Sequence, residues 1–144
     1  MSTPSSIKLE PAQNSFLNNL VKENKPFETC AFLLGKKLDD MFIVKEIVPV
    51  ENVDSSNVRF SIEDEKLLQI YTYSESINLP VIGIFHSHPS EAFPSKTDKF
   101  YMELNPVPWI IKSTTTNETR CFILNDYVNN TKSEFTELEI KIKD

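Results

Sequence analysis

The sequence predicts a mixed α/β fold, in which a mixed β-sheet is flanked by about three helices. The chain has 144 residues, which is enough for one domain with a substantial core, so we expect a single domain over residues 1–144. Apolar residues recur at helical spacing in two segments, and short apolar or alternating runs of strand length lie around them. Helices and strands interleaved in this way are typical of a sheet that carries helices on its faces.

The first half of the chain predicts a helix, a β-hairpin and a second helix. Residues 1–10 have the character of a polar lead-in. Pro11 suits a first helical turn, and apolar residues at helical spacing follow it, which predicts a helix over 11–24. Two apolar runs, at 29–35 and 41–50, predict the strands of a hairpin. The remaining predictions are a turn at 51–57, a short strand at 58–60, an N-cap at Ser61 and a helix over 62–78.

The second half predicts a buried strand, a short helix and three further strands. The apolar, β-branched run PVIGIFHSHP predicts a central strand over 80–89 whose polar end opens at a surface, where chemistry is often found. Trp109 is expected to belong to the core. The other elements are a helix over 95–104 and strands over 107–112, 121–124 and 135–143.

Composition excludes several classes of function. The chain carries 15 basic and 21 acidic residues, a net charge of -6, which argues against a nucleic-acid partner because phosphate binding needs a concentrated basic face. No apolar run reaches the roughly 20 residues that a membrane span requires. The N-terminus MSTPSSIKLE has no secretory pattern, so we expect a soluble, cytoplasmic protein in which Cys30 and Cys121 are reduced core thiols.

The only two histidines of the chain lie one residue apart, at the end of the predicted central strand. On a strand, positions i and i+2 point to the same face, so His86 and His88 can reach one metal ion, and Pro89 then ends the strand. Two surface histidines are the simpler explanation of such a pair. The extension to Ser95-x-x-Asp98 makes chance improbable, since five specified residues at fixed offsets arise in on the order of one in twenty-five thousand such chains.

The motif HSHP followed by S-x-x-D resembles the zinc motif of the JAMM (MPN-plus) metalloisopeptidases. Upstream, the segment PFETCAFLLG over 26–35 is similar to the family's P-x-E-x-C-G-L-L-x-G strand, and the likeness covers most of residues 11–113. Two departures are visible. Ala31 stands where the family usually has Gly, and the segment between His88 and Asp98 is one residue shorter than the common spacing, a difference that residues 90–93 could absorb.

The resemblance implies a fold, a cofactor and residue roles. It implies a cytidine-deaminase-like MPN domain with one Zn²⁺ per chain, held by His86, His88 and Asp98 with the fourth tetrahedral position left open. It also implies that Glu28 is the general base and that Ser95 donates a hydrogen bond to the oxyanion. Structural alternatives stay open at this point: Ser95 and Asp98 also fit a helix capping box, and Glu28 also fits a solvated carboxylate at a strand start.

The implied activity is hydrolysis of the peptide or isopeptide bond after the C-terminal Gly-Gly of a ubiquitin-like modifier protein. Only 46 residues follow Asp98, so we expect a minimal enzyme acting on small ubiquitin-like or sulfur-carrier-like proteins, whose tail could add as a strand at a sheet edge. The alternative is a non-catalytic MPN scaffold domain within a larger complex, which is less favoured because the whole residue set is present. Homo-oligomer formation, the identity of the modifier and any linkage preference are not decided by the sequence.

Overall fold

The computed structural model describes residues 4–52, 62–125 and 134–144. The turn predicted at 51–57 lies mostly outside this part of the chain, and the short strand predicted at 58–60 and the N-cap at Ser61 lie wholly outside it. Within the described residues there are three helices, α1 (Pro11–Asn24), α2 (Asp64–Ser76) and α3 (Lys96–Leu104). The strands there are β1 (Ser6–Leu9), β2 (Cys30–Leu38), β3 (Met41–Val50), β4 (Val81–His88), β5 (Trp109–Ser113), β6 (Thr119–Leu124) and β7 (Phe135–Ile142).

The predicted elements are confirmed in type and order wherever the structure describes them. The helix over 11–24 is α1, and β2 and β3 pair antiparallel as the predicted hairpin. The strand over 80–89 is β4, at the middle of the sheet between β2 and β5. Helix α3 begins at Lys96 with Ser95 as its N-cap, as the Ser95-x-x-Asp98 spacing predicted.

The prediction of a polar lead-in over residues 1–10 is wrong, because Ser6–Leu9 forms strand β1. Ile7 and Leu9 are fully buried, and β1 lies between β3 and β7, parallel to both. Only two apolar side chains in four residues carry the strand pattern, and the pairing partners lie more than 30 residues away. The stability of β1 therefore comes from burial against distant strands, which local periodicity does not reveal.

The sheet closes on itself, which corrects the prediction of a sheet flanked by helices on its faces. The strand order is β1-β3-β2-β4-β5-β6-β7, and β1 joins the two ends of this series into a closed barrel. Every described strand therefore has a neighbour on both sides. Closure pairs the two ends of the series, but β1 pairs with β3 only over residues 41–43. Among the described strands, the rest of β3 up to Val50 is paired only with β2.

The two faces of the strands pack into two separate apolar clusters. One cluster combines Leu17 and Val21 of α1 with residues from all seven strands, among them Ile7, Phe85 and Ile110. The other lies on the opposite face and includes Ile70 of α2, Met102 of α3, and Cys30, Ile84 and Trp109 of the strands. Successive residues of β5 thus point into different clusters, and on β4 Phe85 points to the α1 cluster while Ile84 points to the other.

Two further expectations can be compared with the structure. Cys30 and Cys121 are both buried free thiols, as predicted. No helix of the described ranges is both long enough and apolar enough to cross a membrane.

Candidate metal centre

Strand β4 places His86 and His88 on the face that looks away from α1. Cys30 of β2 is paired with His86 in the antiparallel register. One step further along the two strands, the amide of Ser87 donates to the carbonyl of Thr29 (2.9 Å) and the hydroxyl of Ser87 accepts from the amide of Thr29 (3.0 Å). Continuing this register brings Glu28 opposite His88, and directly opposed residues of a strand pair share one face. The three side chains therefore look into the same space.

Helix α3 brings Asp98 to the two histidines. The Asp98 amide donates to Ser95 Oγ (3.0 Å), while the Ser95 amide donates to Asp98 Oδ2 (2.9 Å), which is a complete capping box. The same carboxylate lies 3.1 Å from His86 Nε2 through Oδ1 and 3.4 Å from His88 Nε2 through Oδ2. Asp98 can therefore take part in the capping box and lie beside the two histidines at the same time, because each carboxylate oxygen can accept more than one contact.

The tautomer of His88 follows from its neighbour Ser90. His88 Nδ1 lies 3.2 Å from the carbonyl oxygen of Ser90 and 3.0 Å from its hydroxyl. A carbonyl oxygen can only accept, so Nδ1 must carry the hydrogen, and in the neutral ring Nε2 is then a lone pair. A backbone partner that fixes the tautomer in this way is the usual support of a metal-binding histidine.

The ligand atoms form a set that a cation would satisfy. The Nε2 atoms of His86 and His88 are buried and have no hydrogen-bond partner in the part of the chain that the structure describes. Burial lowers the pKa of His86 to about 4, so this ring is neutral at pH 7. Burial alone would raise the pKa of Asp98, but its contacts with His88 and His86 lower that pKa overall, so the carboxylate is ionised. His86 Nε2 therefore presents a lone pair to an ionised carboxylate. Burial lowers the pKa of His88, but Asp98, Ser90 and Glu28 outweigh burial and raise that pKa overall. The ligand set thus favours a positive charge, either a proton on His88 or a bound cation.

The spacing of these atoms also suits a metal ion. The nitrogen and oxygen ligand atoms of His86, His88 and Asp98 all lie within 4.8 Å of one another. Around a tetrahedral zinc with bonds of 2.0 to 2.1 Å, neighbouring ligand atoms are about 3.3 Å apart, and the 3.1 Å between His86 Nε2 and Asp98 Oδ1 is close to that edge. The residues present thus fit a metal, although a set of two histidines and one carboxylate also occurs in non-haem iron sites.

Glu28 is buried beside this ligand set, contrary to the alternative of a solvated carboxylate. Its exposed fraction is 7%. The pKa of Glu28 is raised to about 7, mainly by burial; His88 acts in the opposite direction, and Asp98 adds a smaller upward contribution. A carboxyl group that titrates near neutrality can both take up and release a proton at physiological pH.

One cavity of about 730 Å³ joins all five residues that the sequence analysis singled out, Glu28, His86, His88, Ser95 and Asp98. Cys30 lies on the same face, but burial strongly raises the pKa of its thiol, which makes it a small apolar lining group. Trp109 is 7% exposed, as a core residue should be, and it also forms part of the apolar wall of the cavity. The cavity therefore has a polar end at the ligand set and an apolar end beyond it.

Sequence reasoning missed two supporting serines. Ser90 accepts the hydrogen of His88, and Ser87 anchors the backbone next to Glu28. Ser90 lies in the segment 90–93 that was expected to absorb the shortened spacing without touching the site. A serine two residues after a candidate histidine ligand was the available signal, since such partners commonly accept from the second ring nitrogen.

A known protein family matches most of the chain. Residues 13–124 match the family model described as prokaryotic homologs of the JAB domain. The chain belongs to the JAB-domain family. All five site residues fall within the matched range, and the predicted resemblance to the JAMM family is thereby confirmed.

The JAB-domain chain is also similar to one named protein in sequence and to one solved structure in fold. It is 31% identical over 124 residues to a protein named desampylase from Pyrococcus furiosus, an alignment that covers 85% of this chain and 81% of the relative. Its fold is similar to the solution structure of a protein from Desulfitobacterium hafniense, with a TM-score of 0.77, 25% identity, and coverage of 96% and 93% of the two chains. The similarity in fold thus extends over nearly the whole chain.

Proposed function

We propose that this JAB-domain chain is a metal-dependent isopeptidase, which hydrolyses the peptide or isopeptide bond after the C-terminal Gly-Gly of a ubiquitin-like modifier. The observation that carries the proposal is the convergence of a histidine, histidine, aspartate set with a buried glutamate in one cavity. The name of the Pyrococcus furiosus relative, desampylase, supports a modifier protein as the substrate class. The intact residue set argues against the alternative of a non-catalytic scaffold domain.

His86, His88 and Asp98 would hold the metal, for which we propose zinc. When bound, a zinc ion would supply Lewis-acid activation of water and of the scissile carbonyl. Three protein ligands leave one tetrahedral position open, as catalytic zinc sites do. The tautomer set by Ser90 keeps His88 Nε2 ready for this role.

Glu28 moves the proton in this proposal. As a carboxylate it takes the proton of the attacking water, and as a carboxylic acid it then gives that proton to the departing amine nitrogen. Both halves of this cycle need a group whose protonated and ionised forms are close in free energy at neutral pH. In the metal-free chain burial raises the pKa of Glu28 to about 7, and a bound cation would lower it and favour the carboxylate that accepts the proton.

Ser95 stabilises the oxyanion in this proposal while it also caps α3. Its oxygen accepts from the Asp98 amide, and accepting uses a lone pair but not the hydroxyl hydrogen. Ser95 is an exposed residue that also lines the cavity, so its hydrogen can point to the oxygen of a bound carbonyl. A preorganised donor of this kind stabilises the negative charge that develops during attack.

The experiment is cleavage of a small ubiquitin-like fusion that ends in Gly-Gly, with the zinc-loaded chain and with chelator as control. General acid–base catalysis contributes about 10²- to 10⁴-fold, so Glu28→Gln should lower kcat/KM by at least about 100-fold while its zinc content stays unchanged. The matched control is Glu23→Gln, since Glu23 is exposed on α1. Cleavage by Glu28→Gln at the parent rate would remove the general-base assignment, and no cleavage by the zinc-loaded parent would favour the scaffold alternative.

A further inference from the structure

A second, smaller cavity lies on the α1 side of the sheet, away from the candidate metal centre. Its volume is about 170 Å³, and it lies between α1, the end of β5 and the turn from β5 to β6. Its seven lining residues are Asn18, Val21, Lys22, Lys25, Lys112, Thr114 and Asn117. Six of them carry hydrogen-bond donors and none carries a carboxylate, which is unexpected in a chain of net charge -6.

Among the three lysines of the cavity, Lys112 is the one that lies on a strand. It lies on β5 two positions after Ile110, so its side chain is on the face that packs against α1. Only 8% of Lys112 is exposed, and within the described residues it has neither an ion pair nor a side-chain hydrogen bond. The buried part of Lys112 is its apolar stem, whereas its ammonium group lines the cavity, where no lining residue offers a negative charge.

The nearest charges repel the Lys112 ammonium group. Burial lowers the pKa of Lys112, and Lys25 and Lys22 lower it further. Lys22 and Lys25 have an ordinary explanation, because cations near a helix C-terminus interact favourably with its carbonyl groups. That explanation does not extend to Lys112, which belongs to a strand.

The polar wall opposite the lysines is already held in place. The Thr114 amide donates to the carbonyl of His88 (2.9 Å), and the Asn117 amide donates to the carbonyl of Ser113 (3.0 Å). Asn117 has a φ of 66°, a left-handed conformation that Asn tolerates and that completes the turn. Two backbone positions of this wall are thus fixed. The Thr114 hydroxyl donates to the carbonyl of His88 (3.4 Å), which leaves the Asn and Lys side chains as the donors available to a ligand.

We propose that this cavity binds a small tetrahedral oxyanion of the phosphate type. Three ammonium groups match a dianion better than a single carboxylate, and the volume is several times the roughly 30 Å³ of a water molecule. The negative net charge makes a polymeric phosphate partner unfavourable. The ligand is therefore free inorganic phosphate or the phosphoryl group of a small monoester, and the site is independent of the proposed isopeptidase activity.

The test is a titration of the ¹⁵N-labelled full chain with sodium phosphate at constant ionic strength, followed by NMR. We expect saturable shifts of the backbone amides of Asn18, Thr114 and Asn117 that fit one site. Glycerol 2-phosphate in place of phosphate distinguishes the two sources: equal or tighter binding indicates a monoester, and at least tenfold weaker binding indicates inorganic phosphate. Acetate binding as tightly as phosphate, or no saturable shift at these amides, overturns the proposal.

Variants locate the binding. Lys112→Met should weaken phosphate binding by at least tenfold, whereas the control Lys36→Met removes the same charge from an exposed position on β2 and should change it less than twofold. Lys22→Gln with Lys25→Gln alters only exposed residues, so it tests the site even if Lys112→Met fails to fold. Phosphate binding that is lost in His88→Ala but kept in Lys112→Met would place the anion at the metal ligands and overturn the proposal.

Discussion

Replacement of Ser95 separates its two roles, the cap of α3 and the proposed hydrogen bond to the oxyanion. In Ser95→Ala the Asp98 amide loses its acceptor, and because Asp98 is only 5% exposed, water replaces that acceptor poorly. Loss of an N-cap costs about 0.5–2 kcal/mol, and this burial places Ser95→Ala in the upper half, about 1–2 kcal/mol. For a chain of 144 residues this lowers Tm by about 3–6 °C.

The same substitution, Ser95→Ala, should lower activity by much more than the loss of the cap explains. Loss of one oxyanion donor lowers kcat by about 10²- to 10³-fold. Loss of the helix cap alone should lower kcat far less, because the protein stays folded at the assay temperature. Ser95→Thr keeps both an acceptor for the Asp98 amide and a hydroxyl hydrogen, so it should stay within about 0.5 kcal/mol and tenfold of the parent. The assays are thermal unfolding and cleavage of the Gly-Gly fusion. A Ser95→Ala variant that is destabilised but fully active refutes the oxyanion role. A Ser95→Ala variant with unchanged Tm refutes the stabilisation of about 1–2 kcal/mol that is assigned to the cap.

Three further predictions concern Glu28, Gly35 and Ser90. In the metal-free chain burial raises the pKa of Glu28 from 4.5 to about 7, so the folded state binds this proton more tightly than the unfolded state. The stability of the parent therefore falls as the pH rises from about 4.5 to 7. Because Gln does not titrate, urea unfolding should show Glu28→Gln gaining stability relative to the parent over this pH range. A Cβ on Gly35 would lie 1.9 Å from the carbonyl oxygen of Ile43, so Gly35→Ala should lose about 3 kcal/mol in denaturant unfolding. Ser90→Ala removes a hydroxyl contact of His88 but keeps the carbonyl acceptor, so zinc affinity measured against a competing chelator should fall about tenfold.

Each of these has a control in the same chain. Glu23→Gln should not reproduce the pH-dependent gain, and a Glu28→Gln variant that is relatively less stable at pH 8 than at pH 4 contradicts the burial argument. Gly83→Ala should cost less than Gly35→Ala, since its nearest contact is the flexible Leu33 side chain at 3.2 Å. Zinc affinity unchanged in Ser90→Ala would mean that the hydroxyl contact contributes nothing to the orientation of His88.

Local patterns were sufficient to predict most elements and the histidine pair, whereas Glu28 and the oxyanion role of Ser95 came from the resemblance to the JAMM family. The residues of α1 carry a helical period behind Pro11, and β2 and β3 are long apolar runs separated by a short turn. The spacing of His86 and His88 on one strand is a local geometric fact, so their common face could be predicted without the fold. The S-x-x-D pattern placed Asp98 in the first turn of α3, where it also fits a capping box, so its ligand role rested on the histidine pair and the resemblance.

Features that depend on distant contacts could not be predicted in this way. Strand β1 is only four residues long and is held by β3 and β7, and barrel closure depends on that same strand. The burial of Glu28, and hence its pKa, comes from packing of the cavity walls rather than from its neighbours in sequence. The role of Ser90 depends on the path of the chain after Pro89, which a polar loop sequence leaves undetermined.

The central claim is that His86, His88 and Asp98 together hold one metal ion, and metal content tests it most directly. Elemental mass spectrometry of the purified chain after dialysis against limiting zinc should give one zinc per chain. Asp98→Ala and His88→Ala should each lose nearly all of it, while Glu28→Gln keeps it. A chain that retains no metal, or an Asp98→Ala variant with the zinc content of the parent, would contradict the account.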